Sequence, residues 1–136
     1  MTAALEREAV GQLMDGWTTT PVVWPNRDYT AIKGTPFVRV AIRSGEAFQV
    51  EIGSPLVVQR HPGLVIVSVF GDANNKGDKA TLDIADAIAT RFRRQLVSFT
   101  DGSVRFRTPT IRAIGQDGAF YQVNVICPFV RDYLFA

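Results

Sequence analysis

From Leu64 to Phe70 the chain runs almost without a polar residue, and beyond it apolar residues return at Ala80, Ile84, Ala87, Ile88, Phe92 and Leu96. The first pattern predicts a strand covered by protein on both faces. The second predicts an amphipathic helix from Asp78 to about Val97, apolar along one stripe of 3.6-residue spacing. A polar glycine loop, Gly71 to Gly77, separates them. Asp78 is a natural N-cap. Asp83 and Asp86 toward the helix start, and Arg91, Arg93 and Arg94 toward its end, follow the polarity that the helix macrodipole favours.

The flanking segments carry shorter patterns. Residues from about Thr2 to Asp15 suggest a helix with Ala4, Leu5, Ala9, Gln12 and Leu13 on one side and Gly16 as its C′ stop. Trp17 to Asn26 holds Pro21 and Pro25, which forbid a helix and leave an edge strand or an extended arm. Alternation from Thr35 to Arg43 sets Val38, Val40 and Ile42 against Arg39, Ala41 and Arg43; residues 46–52 alternate again through Phe48, Val50 and Ile52. A three-residue loop, Ser44-Gly45-Glu46, would pair Ile42 with Phe48, Val40 with Val50 and Arg39 with Glu51. His61-Pro62-Gly63 suits a type II turn between Leu56–Arg60 and Leu64–Phe70.

After the long helix, Ser103 to Ile114 alternates Val104 and Phe106 against Arg105 and Arg107, and Pro109 marks a kink or an edge. Gln116-Asp117-Gly118 leads into Ala119 to Cys127; a G1-bulge loop there pairs Ala113 with Tyr121 and Ile111 with Val123. The tail from Pro128, with Phe129, Tyr133, Leu134 and Phe135, is too apolar for a solvated end and should dock on its own domain or on a partner. The fold class that follows is α+β. A curved, mainly antiparallel sheet of hairpins packs with one N-terminal helix and one central amphipathic helix, in a single domain over residues 1–136.

Composition narrows the function classes. At 136 residues and 15.0 kDa, with 46% hydrophobic residues, the chain can bury a real core. The formal charge is only +2, but its cations are twelve Arg against three Lys. Arg suits interfaces, carboxylate pairing and phosphate contact, because its planar fork binds bidentately and desolvates readily. The single cysteine, Cys127, excludes an intramolecular disulfide and reads as a small core residue. No apolar run approaches the roughly 20 residues that span a bilayer, and the first residues lack the apolar core of a signal peptide. The expectation is synthesis in the cytoplasm, with no secretion and no membrane contact.

Enzymatic readings find little footing. One His and one Cys make a zinc set or a nucleophile–base pair hard to build. His61 reads as an exposed turn residue, and Asp83 with Asp86 as a solvated helix face. The loop Gly71 to Lys79 links strand to helix as a phosphate loop does. Five residues separate its glycines where that motif has four, and Asp78 stands where its lysine would be. A carboxylate there repels phosphate. No catalytic residue, cofactor or metal site is expected.

Two groups of residues remain. Arg91, Arg93 and Arg94 with Arg105, Arg107 and Arg112 flank the helix end and the following strand: a solvated basic face in a monomer, or a charged seam or hole in a ring of copies. Trp17, Trp24, Phe129, Tyr133 and Phe135 lie near the two chain ends, to serve subunit or partner contacts or to pack on the chain's own sheet.

Three pieces taken together, in order, resemble a known family. They are Thr20-Pro21-Val22-Val23-Trp24-Pro25-Asn26 after a first helix; the Gly63–Phe70 strand with its glycine loop and the helix Ile84-Ala85-Asp86-Ala87-Ile88-Ala89-Thr90-Arg91-Phe92; and Val123-Asn124-Val125-Ile126-Cys127-Pro128-Phe129 with Asp132. The family is that of the tail terminator-like (minor tail protein U-like) proteins of long-tailed bacteriophages and prophages. The chain departs from it in loop 71–77, which is polar for an interface. The resemblance implies a non-enzymatic morphogenetic protein of the virion that assembles as a homo-oligomeric ring, typically a hexamer, at the head–tail joint. There it caps the tail tube protein, ends tail polymerisation and docks a head-completion or connector protein, and genome DNA passes through its lumen with nonspecific contact. On that reading Arg91, Arg93, Arg94, Arg105 and Arg107 face the lumen or a neighbour's Asp83, Asp86 or Glu51. Other readings are a different head–tail joining or minor tail protein of the same fold, or an Arg-rich nucleic-acid-binding module.

Overall fold

Two sixteen-residue strands, β4 (Val57–Asp72) and β8 (Phe120–Phe135), pair antiparallel along their whole length, from Val57 opposite Phe135 to Asp72 opposite Phe120. At about 3.4 Å per residue this ladder is roughly 50 Å long, and the other elements attach to it. The computed structural model describes residues 4–32, 35–45, 48–52, 57–72, 77–100 and 102–135, the side chains of 48–52, 57, 58, 77, 78, 117 and 133–135 apart. Along one edge of β4 lie β2 (Phe37–Ser44) and β3 (Phe48–Ile52), end to end; along the free edge of β8 lie β7 (Thr110–Asp117) and β6 (Gly102–Phe106). Two short strands complete the sheet: β1 (Val22–Val23), parallel to β2, and β5 (Leu96–Phe99), antiparallel to β6. The described residues thus form α+β architecture on one curled, eight-stranded sheet in the order β1-β2-β4-β8-β6-β5, with β3 and β7 as side pairings.

The helices α1 (Ala4–Met14) and α2 (Gly77–Phe92) supply the apolar cover. Odd residues of β4 and β8 join even residues of β2 and β6 on one face. Val38, Val40, Val65, Val67, Val69, Val104, Phe106, Val123, Val125, Cys127 and Phe129 are buried there with Ala9, Val10 and Met14 of α1 and Ala85, Ile88, Ala89 and Phe92 of α2. Valine predominates because a β-branched side chain packs well on a pleated, covered surface.

Several local expectations are corrected. β2 and β3 form no hairpin with each other: they follow one another along β4, so Arg39 lies opposite Ser68, not Glu51. Alternation reports which face a residue takes, not which strand it pairs with. His61-Pro62-Gly63 is no turn either, since all three continue β4 opposite Arg131, Val130 and Phe129. Pro62 is tolerated mid-strand because its missing donor points toward the joint where β2 gives way to β3; there its carbonyl accepts from the Gly45 N–H at 2.6 Å. Gly63 serves packing: a Cβ at this position would stand 2.5 Å from Cζ of Phe129. The β7–β8 hairpin turns through Gly118-Ala119, with a bulge between Ala113 and Gly115, so Ala113 meets Val123 and Ile111 meets Val125. Gly118, at φ +59, takes the first central turn position, where a type II′ turn favours glycine.

The helices also differ. The stripe of α2 is Thr81, Ala85, Ile88, Ala89 and Phe92, while Ala87 is exposed and Ala80 only partly buried. The helix ends at Phe92, not near Val97; Leu96 belongs to β5 and is exposed. In α1 the buried face is Glu6, Ala9, Val10 and Met14, with Ala4 and Gln12 exposed. Glu6 is accommodated on that inward face because it finds a buried cation, Arg131.

Other expectations hold. Gly16 at φ +80 ends α1, residues 22–23 form an edge strand, and Pro109 falls in the gap between β6 and β7. The apolar tail docks on its own chain as the end of β8. One expectation fails: the strand Leu64–Phe70 is covered on its odd face only and not on both, its even face being half-buried to exposed, because both helices pack on the odd face. Loop residues 73–76 and Glu46 lie outside the described residues. Among the described residues no helix is long and apolar enough to cross a membrane.

Candidate functional site

At the end of α2 the chain must reverse to enter β5. The Arg93 N–H closes the last helical turn on the Ala89 carbonyl at 2.9 Å, and Arg94 then takes a left-handed conformation at φ +56. Glycine or asparagine is the usual occupant of such a C′ position; a larger side chain there costs about 1 kcal/mol. The reversal is tied to the sheet, since Phe106 N–H donates to the Gln95 carbonyl at 2.8 Å and Arg107 N–H to the Pro128 carbonyl at 2.9 Å. Val104 and Phe106 enter the core, so pleating sends Arg105 outward, and Arg107 beyond the strand end is exposed too.

These constraints bring Arg94, Arg105 and Arg107 together on one cleft of about 480 Å³, completed by Phe106 and Thr108. Among the described residues no carboxylate lines the cleft, and no ion pair forms to these three side chains. Arg93 is exposed beside them. Arg112 stands opposite Asn124 while Arg105 stands opposite Val130, so the two are about 20 Å apart along β8.

Arg91 is placed elsewhere. It donates to the Leu13 carbonyl at 3.2 Å and the Asp15 carbonyl at 2.7 Å and lies 5.3 Å from the ring centre of Trp17, so it caps the end of α1. Asp83 is held by Lys79 at 2.8 Å on the solvated side of α2, and Asp86 is exposed on the same helix.

The even face of the sheet forms rows that the sequence did not reveal. Arg39, Ser68, Asn124 and Arg112 stand side by side across four strands. The next row is Ala41, Ile66, Ile126 and Thr110, and the next Arg43, Leu64 and Pro128. Leu64 is 36% exposed, so an apolar strip between arginines remains open to solvent. At one end of this face Phe37 stacks on Phe70 at 4.7 Å, with Tyr29 and Phe120 against it.

The chain matches the model of the phage tail terminator proteins over residues 2–129. It belongs to the phage tail terminator family. Tail terminators form a structural family, so this chain is a structural component of a bacteriophage tail, located in the virion. A solved structure shares the fold at TM-score 0.67 and 17% identity, over 95% of this chain and 91% of its own. No curated protein matches at a significant level.

Within this chain the aromatic residues of the two ends separate. Phe129 is 2% exposed and packs against Phe106, which removes it from the surface set. Trp17 and Trp24 are partly buried against the same core; Trp17 donates to Thr20 Oγ at 2.9 Å, and the Arg7 guanidinium lies 3.6 Å over the Trp24 ring. Burial and nearby Arg27 lower the Arg7 pKa. The backbones of Tyr133 and Phe135 lie in β8, opposite Gln59 and Val57, and their side chains are outside the described residues. His61 sits mid-strand and half-buried, not in an exposed turn. Cys127 is a core residue whose thiol burial pushes up to about 11.

Proposed function

We propose that this protein closes the growing phage tail. A ring of copies, a hexamer in this reading, seats on the last ring of the tail tube protein, ends polymerisation, presents a docking face to the head-completion or connector protein and lets genome DNA pass through its lumen. The observation that carries the reading is the family match across residues 2–129. Two surfaces support it. The apolar strip through Ile66 and Ile126, edged by Arg39, Arg43 and Arg112, has the apolar centre and polar rim of a protein contact. Arg93, Arg94, Arg105 and Arg107 are exposed cations suited to a neighbour's carboxylates or to DNA phosphates in the lumen. In this reading Arg91 serves the assembly through α1, and Trp17 and Trp24 meet a neighbour at the α1 edge.

Electron microscopy of particles made without the gene tests the reading. Over-long tails, or finished tails that fail to join heads, are the expected result. Normal virions would overturn it, and tails of ordinary length with another defect would point to a different minor tail protein of this fold.

A further inference from the structure

The cleft between the end of α2 and β6 is more specific than a basic face. Arg94, Arg105 and Arg107 converge on it with Thr108, and among the described residues nothing acidic answers them. Three exposed like charges line about 480 Å³, a standing positive surface whose self-repulsion solvent screens. Arg94 carries a cost of its own, a left-handed backbone at φ +56. Ending a helix does not require that cost, because glycine ends one without it. What arginine adds at this position is a guanidinium at the cleft.

The donors indicate the class of ligand. The backbone N–H groups of Phe106 and Arg107 are already given to Gln95 and Pro128, so recognition falls to side chains. Guanidinium forks match the oxygens of a phosphate bidentately, and a hydroxyl supplies a further donor. One carboxylate would balance only one of the three charges. We propose that this cleft is a phosphate-class anion site, with Arg94, Arg105 and Arg107 as charged donors and the Thr108 hydroxyl beside them. The phosphate is either a nucleic-acid phosphodiester or a small free anion. The site lies within one subunit and does not rest on ring assembly, so failure of the tail phenotype and failure of anion binding are separate outcomes.

Titration of the full-length protein with pyrophosphate and with a labelled nonspecific DNA 20-mer, at low salt and with acetate as control, tests this. Saturable binding of pyrophosphate over acetate is expected, and Arg105→Ala or Arg107→Ala should each weaken it about tenfold. Arg94→Gly is the decisive variant: it keeps the turn and relieves its backbone, so the melting temperature should hold or rise while affinity falls. Arg112→Ala, with the same loss of net charge, should leave pyrophosphate affinity unchanged. DNA binding that pyrophosphate displaces assigns the site to a phosphodiester; pyrophosphate binding alone assigns it to a small anion. Equal binding of acetate, no binding of either probe, or an Arg112→Ala effect as large as that of Arg105→Ala would overturn the proposal.

Discussion

Arg131 Nε donates to Glu6 Oε2 at 2.9 Å, with the two side chains only 5% and 2% exposed. The pair joins the first helix to the last strand across almost the whole length of the chain. The Ser44 hydroxyl also donates to the Glu6 carboxylate, so β2 is tied into the same cluster. A charge this deep is tolerated because its partner and a hydroxyl replace water.

Removing one member should therefore cost more than the pair is worth. Glu6→Leu leaves the Arg131 guanidinium buried without its carboxylate and is expected to lower stability by about 3–5 kcal/mol. Combining it with Arg131→Met should recover most of that loss. Urea unfolding midpoints check both; a single variant as stable as wild type would show the pair to be dispensable.

His61 lies opposite Arg131 in the ladder. Burial first, and then the Arg131 guanidinium, lower its pKa below 6.5, and Glu6 partly opposes them. The folded protein thus binds fewer protons than the unfolded chain in the window just below pH 6.5. Its stability should be full above that value and fall on acidification, by up to about 1.4 kcal/mol per pH unit. Thermal melts between pH 7.5 and 5.5 should show this slope, and His61→Gln should flatten it.

Arg91 and Arg93 are two residues apart and should behave differently. Arg91→Ala removes two bonds to the α1 end and the contact with Trp17, an expected loss of about 1–2 kcal/mol. Hydrogen exchange in residues 9–17 should speed up with it. Arg93→Ala should stay within about 0.5 kcal/mol of wild type, so any assembly defect it causes reflects a lost contact.

Gly71 and Thr81 fix how closely α2 approaches β4. A Cβ on Gly71 would stand 1.9 Å from Thr81 Oγ, a buried hydroxyl without a hydrogen-bond partner among the described residues. Gly71→Ala should destabilise by about 1–3 kcal/mol. Thr81→Ala should be near neutral alone and rescue much of the loss in combination, a coupling that a double-mutant cycle on denaturation midpoints measures directly.

Read by itself, the sequence determined the α+β class, the strand–loop–helix order of the core, the extended course of the segment around Pro21 and Pro25 and the core role of Cys127, and three of its motifs together resembled the family. The structural part of this follows from periodicity, turn residues and local chemistry, which act over a few neighbours. Tertiary structure decided the pairing partners, so that apparent hairpins at Gly45 and Pro62 became continuous edges of one long ladder. It also decided which faces are covered, because Glu6 could turn inward only where Arg131 waits 125 residues away. The arginines divide for the same reason. Six looked alike in the sequence, yet Arg91 caps a helix, Arg112 stands far along the sheet, and Arg94, Arg105 and Arg107 share a cleft. Alternation assigns a side chain to a face; only the register of distant strands brings particular side chains together.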